Sequence, residues 1–244
     1  MERIQKLIAN SGYCSRRKAE QLINEGKVSV NGVVVTTLGT KANKSDEILV
    51  EGNVLPNIEK LYFVMNKPRY TISSVSDDKN RPTVISILPA VYQKLGLYPV
   101  GRLDYDTKGV LLLTNDGEFM NELVGPKSNL EKEYLARVDG IFTKINLSNI
   151  RSGVMLDGIK TRKCYAKIEE IDKKNQSSLV KIALTEGKYH QVKRMFLAVG
   201  FTVKNLTRTM FGEVTTDGLK EGEFRDLTPH EIKRLLVMSK KTTI

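Results

Sequence analysis

Gly101-Arg102-Leu103-Asp104-Tyr105-Asp106-Thr107-Lys108-Gly109 runs directly into Val110-Leu111-Leu112-Leu113-Thr114. A charged, glycine-bounded stretch thus lies between Tyr98-Pro99-Val100 and an unbroken apolar run. Continuous apolar runs of this length read as buried strands, and the glycines mark a bent loop between them. A rigid scaffold then presents Arg102, Asp104 and Asp106 at one point. Two carboxylates spaced i, i+2 also suit a hard cation, but no histidine or further acid stands nearby to complete a ligand set. On spacing alone, a plain surface turn fits better than catalysis.

Outward from this loop, strand-like runs lie at Leu61–Met65, Val110–Thr114, Tyr134–Val138, Tyr165–Ile171, Leu179–Leu184 and Val203–Leu206. Helical runs lie near Glu118–Leu123, Ile145–Arg151, Gln191–Val199 and Thr228–Val237. The last opens with Thr228, Pro229 and Glu231, a capping-box pattern with proline in the first turn. Strands outnumber helices and mostly do not alternate with them. This predicts an α+β domain around a mostly antiparallel or mixed sheet flanked by helices. Val192, Met195, Phe196 and Val199 form an i, i+3, i+4, i+7 stripe, which leaves His190, Lys193 and Arg194 off the buried face.

Residues 1–55 read as a separate small unit. Ile4, Leu7 and Ile8 recur at helical spacing, and Ser15 caps a second helix with Ala19, Leu22 and Ile23 on one face. Gly26 ends that helix. Val28-Ser29-Val30, the Asn31-Gly32 turn signal and Val33-Val34-Val35 read as a hairpin, and Ile48-Leu49-Val50 as one more strand. Glu51–Lys60, with Gly52, Asn53, Pro56 and Asn57, reads as a linker, the connection proper being residues 56–60. Residues 61–240 form the larger domain. The second helix begins Ser15-Arg16-Arg17-Lys18, with three cations where the helix dipole favours acids. That placement suits phosphate at an exposed helix start, although a solvated face would carry the same charges.

The net charge is +11, and hydrophobic residues make up 40% of the 244. A globular protein this basic points to a polyanionic partner. Cys14 and Cys164 lie far apart in no metal spacing, which predicts a reducing, cytoplasmic setting without disulfides. No apolar run approaches the roughly 20 residues of a membrane helix. The opening Met1-Glu2-Arg3-Ile4-Gln5-Lys6 lacks the apolar core of a signal peptide.

Several blocks carry a family resemblance. Arg3-Ile4-Gln5-Lys6, Ser15-Arg16-Arg17-Lys18-Ala19-Glu20 and Val28-Ser29-Val30-Asn31-Gly32 resemble an S4 domain, a small RNA-binding module. The Gly101–Asp104 motif, with Leu113-Thr114-Asn115-Asp116-Gly117 after it, resembles the active-site motif of the RsuA/RluB family of ribosomal RNA pseudouridine synthases. Tyr62–Pro68 before it, and Glu131–Tyr134, Glu186–Phe196, Leu206-Thr207-Arg208 and Phe211-Gly212 after it, stand in family order. The resemblance implies Asp104 as the essential carboxylate, acting as nucleophile or as base. It implies Tyr134, Leu206 and Arg102 as active-site support, with Lys193 as the cation that keeps Asp104 ionised and oriented. Arg3, Lys6, Arg16, Arg17, Lys18 and Arg194 are the implied RNA contacts. The reaction breaks N1–C1′, turns the uracil and joins C5 to C1′, so neither cofactor nor metal is implied. The uridine is expected to leave its stack.

The implied partner is ribosomal RNA, with a monomeric protein and no membrane. Thr71–Asp78 and Asp217–Glu231 resemble the large-subunit (23S) branch, whereas Tyr189–Arg194 resembles the small-subunit (16S) branch. The larger share of the chain favours the large subunit. A catalytically silent RNA-binding or ribosome-assembly protein is the competing class, and the intact Asp104, Tyr134 and Lys193 set speaks against it.

Overall fold

A computed structural model describes residues 1–56 and 58–240. The linker residue Asn57 lies outside the described residues.

The first elements are β1 (Glu2–Arg3), α1 (Ile4–Asn10), α2 (Arg16–Asn24), β2 (Val28–Val30), β3 (Val33–Val34), β4 (Lys41–Ala42), β5 (Ile48–Val50) and β6 (Asn53–Val54). The Ser15 side chain accepts from the Lys18 backbone N–H and caps α2. This satisfies one of the donors a helix start leaves open. Ile4, Ile8, Ala19, Leu22, Ile23, Val28 and Val50 close a core of their own. At the strand after Asn31-Gly32, only Val33 and Val34 pair, with Val30 and Ser29. One expectation is corrected here. The Glu51–Lys60 stretch is not linker throughout, because Asn53 and Val54 pair back onto Val50 and Leu49. The turn is Glu51-Gly52, both at positive φ, as a tight hairpin needs. Lys60 Nζ then donates to the Asn10 carbonyl (2.8 Å), and Lys6 and Lys44 reach Glu118 (3.5 and 3.3 Å).

The remaining elements are β7 (Tyr62–Lys67), α3 (Ala90–Gln93), β8 (Tyr98–Pro99), β9 (Lys108–Thr114), α4 (Gly117–Val124), β10 (Lys132–Asp139), α5 (Lys144–Arg151), β11 (Met155–Leu156), β12 (Ile159–Lys160), β13 (Tyr165–Asp172), β14 (Ser177–Leu184), α6 (Gln191–Ala198), β15 (Val203–Phe211), β16 (Phe224–Asp226) and α7 (Pro229–Ser239). The large sheet runs β13-β14-β10-β15-β9-β7-β16, with β8 added beside β9. The fold is α+β. Among the described residues, the pairings in this sheet are antiparallel except β15 with β9. Ala136, Phe142, Val180, Met195 and Phe196 fill the core of one half, under α5 and α6. Val64, Leu112, Phe119, Phe211 and Leu235 fill the other, under α4 and α7.

The parallel seam positions the site. Thr207 and Arg208 of β15 align with Lys108 and Gly109 of β9. At Gly109, a Cβ would sit 2.1 Å from the Arg208 carbonyl oxygen, and φ is +105°. Only glycine permits this approach. The charged loop Gly101–Thr107 therefore ends against β15, beside the side chains of that strand. Short elements such as α3, β11, β12 and β16 have no counterpart in the sequence reading.

Candidate active site

The loop bearing Asp104 is fixed from below. Lys67 ends β7 and is fully buried. Its ammonium donates to the carbonyls of Pro68 (3.0 Å), Asp104 (3.2 Å) and Thr107 (2.9 Å). Burial pushes the Lys67 pKa down to about 8, against the pull of the Asp104 and Asp106 charges. Ser73 Oγ accepts from the Leu103 N–H (3.1 Å) and donates to the Leu103 carbonyl (2.9 Å). The Tyr70 N–H donates to the Tyr105 carbonyl (2.7 Å). Each bond is worth about 1 kcal/mol net, more where charged. Together they hold the residues on both sides of Asp104.

From above, α6 supplies cations. Burial of Val192, Met195 and Phe196 seats the helix, at about 1.5–3 kcal/mol for each such side chain. Lys193, on the open face, then places Nζ 3.2 Å from Asp104 Oδ2 and 2.5 Å from Asp106 Oδ1. Burial works against its charge, but the two carboxylates outweigh it and hold the Lys193 pKa above the usual lysine value. Burial likewise opposes ionisation of Asp106, but the hydrogen bond from Lys193 prevails and lowers its pKa. His190, in the left-handed region (φ 46°, ψ 34°) just before α6, brings Nε2 to 3.5 Å from Asp104 Oδ1. For a non-glycine residue that conformation costs on the order of 1 kcal/mol. Gln191 tightens the same turn, accepting from the Lys188 N–H (2.8 Å) and donating to Glu186 Oε1 (2.5 Å).

One cavity of about 630 Å³ is lined by Arg102, Asp104, Tyr134, Lys193 and Leu206, so the five residues expected at the site share one space. Tyr134 and Leu206 come from neighbouring strands β10 and β15, two pairing positions apart. Arg102 is exposed at the rim. The expected RNA contacts lie elsewhere. Arg3, Arg16, Arg17 and Lys18 are exposed on the N-terminal unit. Lys6 is held by Glu2 (2.9 Å) and faces Glu118, and Arg194 is held by Asp157 (2.5 Å). The expected set omits Lys67, His190, Lys132 and Arg208, of which the last three also line the cavity. Among the described residues, no cluster of His, Cys, Asp and Glu could hold a metal ion, and no helix is long and apolar enough to cross a membrane.

The family model for RNA pseudouridylate synthase matches residues 61–198, the segment that carries Asp104, Tyr134 and Lys193. The chain belongs to the RNA pseudouridylate synthase family. The S4 domain model matches residues 2–48 of this synthase. It is 48% identical to the ribosomal large subunit pseudouridine synthase B of Bacillus subtilis, over 98% of this chain and 97% of that one. It is 37% identical to the ribosomal small subunit pseudouridine synthase A of Haemophilus influenzae, over 96% and 99%. A solved pseudouridylate synthase superposes with a TM-score of 0.69 at 33% identity, over 96% of this synthase and all of that chain. The synthase is thus an enzyme with an N-terminal S4 domain, and its resemblance to the large-subunit branch extends along the whole chain.

Proposed function

We propose that this enzyme isomerises a uridine of large-subunit (23S) ribosomal RNA to pseudouridine, with Asp104 as the essential carboxylate. The observation that carries the reading is the Asp104 carboxylate at the wall of the cavity, met by Lys193 at 3.2 Å and backed by a loop that Lys67 pins through three carbonyls. A carboxylate fixed in this way stays aimed without reorganising during the reaction. Tyr134 and Leu206 offer the faces against which a flipped uracil packs, and Arg102 stands where the backbone of the flipped nucleotide enters. Lys193 orients Asp104 and is itself held by Asp106.

Residues 1–55 act as the RNA handle, residues 56–60 as the connection and residues 61–240 as the catalytic domain. Arg3, Arg16, Arg17 and Lys18 read phosphate charge, whereas Lys6 and Arg194 can reach RNA only by leaving their carboxylate partners. The enzyme acts as a monomer in the cytoplasm, on ribosomal RNA before the subunit is complete. The relation to the B. subtilis large-subunit enzyme supports the 23S assignment. The Tyr189-His190-Gln191 segment, with its imidazole beside Asp104, supports a 16S target instead. Mapping pseudouridines in rRNA from a deletion strain, and restoring the lost one with purified protein, tests the reading. A missing 23S pseudouridine is expected. A missing 16S pseudouridine would move the enzyme to the other branch, and an unchanged rRNA map would remove rRNA as its substrate.

A further inference from the structure

The cavity that Lys193 lines holds a second set of cations in a different environment, the buried Arg208 and the half-buried Lys132. Arg208 is 3% exposed. Its Nε donates to the Val110 carbonyl (2.7 Å), but its Nη2 is buried and has no hydrogen-bond partner. Lys132 stands nearby, and its pKa is pushed down to about 8, chiefly by burial and further by the charges of Arg208 and Arg162. Among the described residues, neither Arg208 nor Lys132 has a carboxylate within ion-pair distance. A buried cation without a counter-charge is costly, and an orphaned guanidinium N–H adds to the cost. Structural requirements alone do not call for two such groups side by side.

The sheet aims both at one point. On β15, Leu206 and Arg208 are two residues apart and share a face. On β10, Lys132 and Tyr134 do the same. Tyr134 is paired with Arg208, and Ala136 with Leu206. Between Glu133 and Tyr134 the register shifts, because β15 carries an extra residue, Thr209, there. This bulge brings Phe211 opposite Lys132, with its ring centroid 5.7 Å from the Lys132 ammonium and 5.1 Å from the Arg208 guanidinium. Bulges of this kind re-aim side chains beside active sites. The result is a patch with Leu206 and Tyr134 as apolar walls and Arg208 and Lys132 as a cationic floor on Phe211.

The reaction generates charge that such a floor meets. When N1–C1′ breaks, its electron pair leaves with the uracil, spread over N1, O2 and O4. C1′ is meanwhile taken up by the Asp104 oxygen, or satisfied by loss of a C2′ proton to it. After the base turns, C5 gives an electron pair to C1′ as the Asp104–C1′ bond breaks and its pair returns to the carboxylate, or, in the other route, as C2′ takes its proton back from Asp104. The C5 proton then departs, N1 ends protonated, and no atoms are lost. In both routes the detached base is anionic. We propose that Arg208, with Lys132 behind it, receives the uracil carbonyl oxygens and stabilises the base while it is detached from the sugar. This inference rests on the uridine-isomerising reading of the site. A phosphate is the other anion to consider, but Arg208 lies on the face shared with Leu206 and Tyr134, where the base is placed, and not among the exposed cations.

The test is single-turnover conversion of a 23S rRNA fragment that the wild-type protein modifies, with RNA affinity measured separately. Arg208→Met is expected to slow the saturated rate by about 10²–10³-fold with RNA affinity little changed, the usual loss when one donor to a developing anion is removed from a dry site. Arg208→Lys should recover part of that rate. A second RNA carries 5-fluorouridine at the target, and its disappearance is followed. Fluorine makes the departing base a more stable anion, so Arg208→Met should slow this RNA about tenfold less than the natural one. Equal slowing of both RNAs would show a merely structural arginine. Weaker binding with an unchanged saturated rate would show a phosphate anchor. Either result overturns the proposal. If Arg208→Met does not fold, Lys132→Met carries the test, with a smaller loss and the same difference between the two RNAs, and its absence there overturns the proposal equally. A wild-type protein that converts no uridine would sink the functional reading, and this inference with it, before any variant is compared.

Discussion

The cations of α2 and those around Asp104 place the same side-chain types in opposite settings. Arg16, Arg17 and Lys18 stand exposed at a helix start and hold no carboxylate partner among the described residues, Lys18 donating to Gln21 (3.3 Å). Lys67, Lys193 and Arg208 are held by carbonyls, carboxylates or an aromatic face. In water a charge acts over about a Debye length and is screened by salt, whereas a partly buried charge is screened much less and acts more strongly on whatever it touches. On the proposed function, one group meets the uniform charge of a nucleic acid backbone, and the other fixes a single carboxylate and a single base. The difference is one of solvent exposure.

The comparison breaks most readily at Lys193. Lys193→Met should lower the saturated single-turnover rate by about 10²-fold, while RNA affinity changes by less than about threefold, because the lost contact orients Asp104 and does not hold backbone. Lys193→Arg, which keeps the charge near Asp104 and Asp106, should recover most of the rate. Loss of affinity without loss of rate would place Lys193 with the α2 cations instead.

A smaller effect follows from Lys132, through stability. Its pKa lies near 8 in the folded protein against about 10.4 in an unfolded chain. Below pH 8 both states carry the charge, and the folded state bears its full burial cost. Between about pH 8 and 10.4 the folded state has released a proton that the unfolded chain keeps, so stability from this group rises with pH. Lys132→Met should therefore be more stable than wild type at pH 7, by on the order of 2 kcal/mol, and lose that advantage by about pH 10.5. Denaturant midpoints across this range are the measurement. An advantage independent of pH would mean the lysine is not held charged in an apolar site. The gain in stability would accompany the loss of rate expected from the same substitution.

The smallest effect belongs to α2. Replacing Arg16, Arg17 and Lys18 by Ala should weaken rRNA-fragment binding and flatten its salt dependence, each lost phosphate contact reducing the log–log slope by roughly 0.7–0.9. The saturated rate and the modified position should stay the same. An unchanged slope would leave these cations as solvated charges, and a relocated pseudouridine would show that the N-terminal unit selects the site.

Much of this division was legible before any coordinates. The cap at Ser15, the stripe on α6 and the apolar run after Gly109 are local patterns, and local patterns survive folding when burial agrees with them. The Asp104 motif was legible by resemblance, not by spacing. Lys67 and Arg208 were not, because alternation in a strand sorts charged residues to the solvent side, and here they point inward. Their signal was present in outline, as a lysine closing an apolar strand before Pro68 and an arginine two residues after Leu206. The β5–β6 hairpin was missed because Gly52-Asn53 is polar, and polarity does not separate a linker from a tight turn. The parallel seam between β9 and β15 joins residues about a hundred positions apart, beyond the reach of any local pattern.

The account stands on Asp104. The most direct measurement is the single-turnover rate of uridine-to-pseudouridine conversion by Asp104→Asn on a 23S rRNA fragment, with affinity for that fragment and thermal stability measured alongside. Amide for carboxylate preserves shape and removes the charge. The account predicts a fall of at least about 10³-fold in rate with binding and folding retained. A folded, RNA-binding Asp104→Asn protein that keeps more than about a few per cent of the wild-type rate would contradict it.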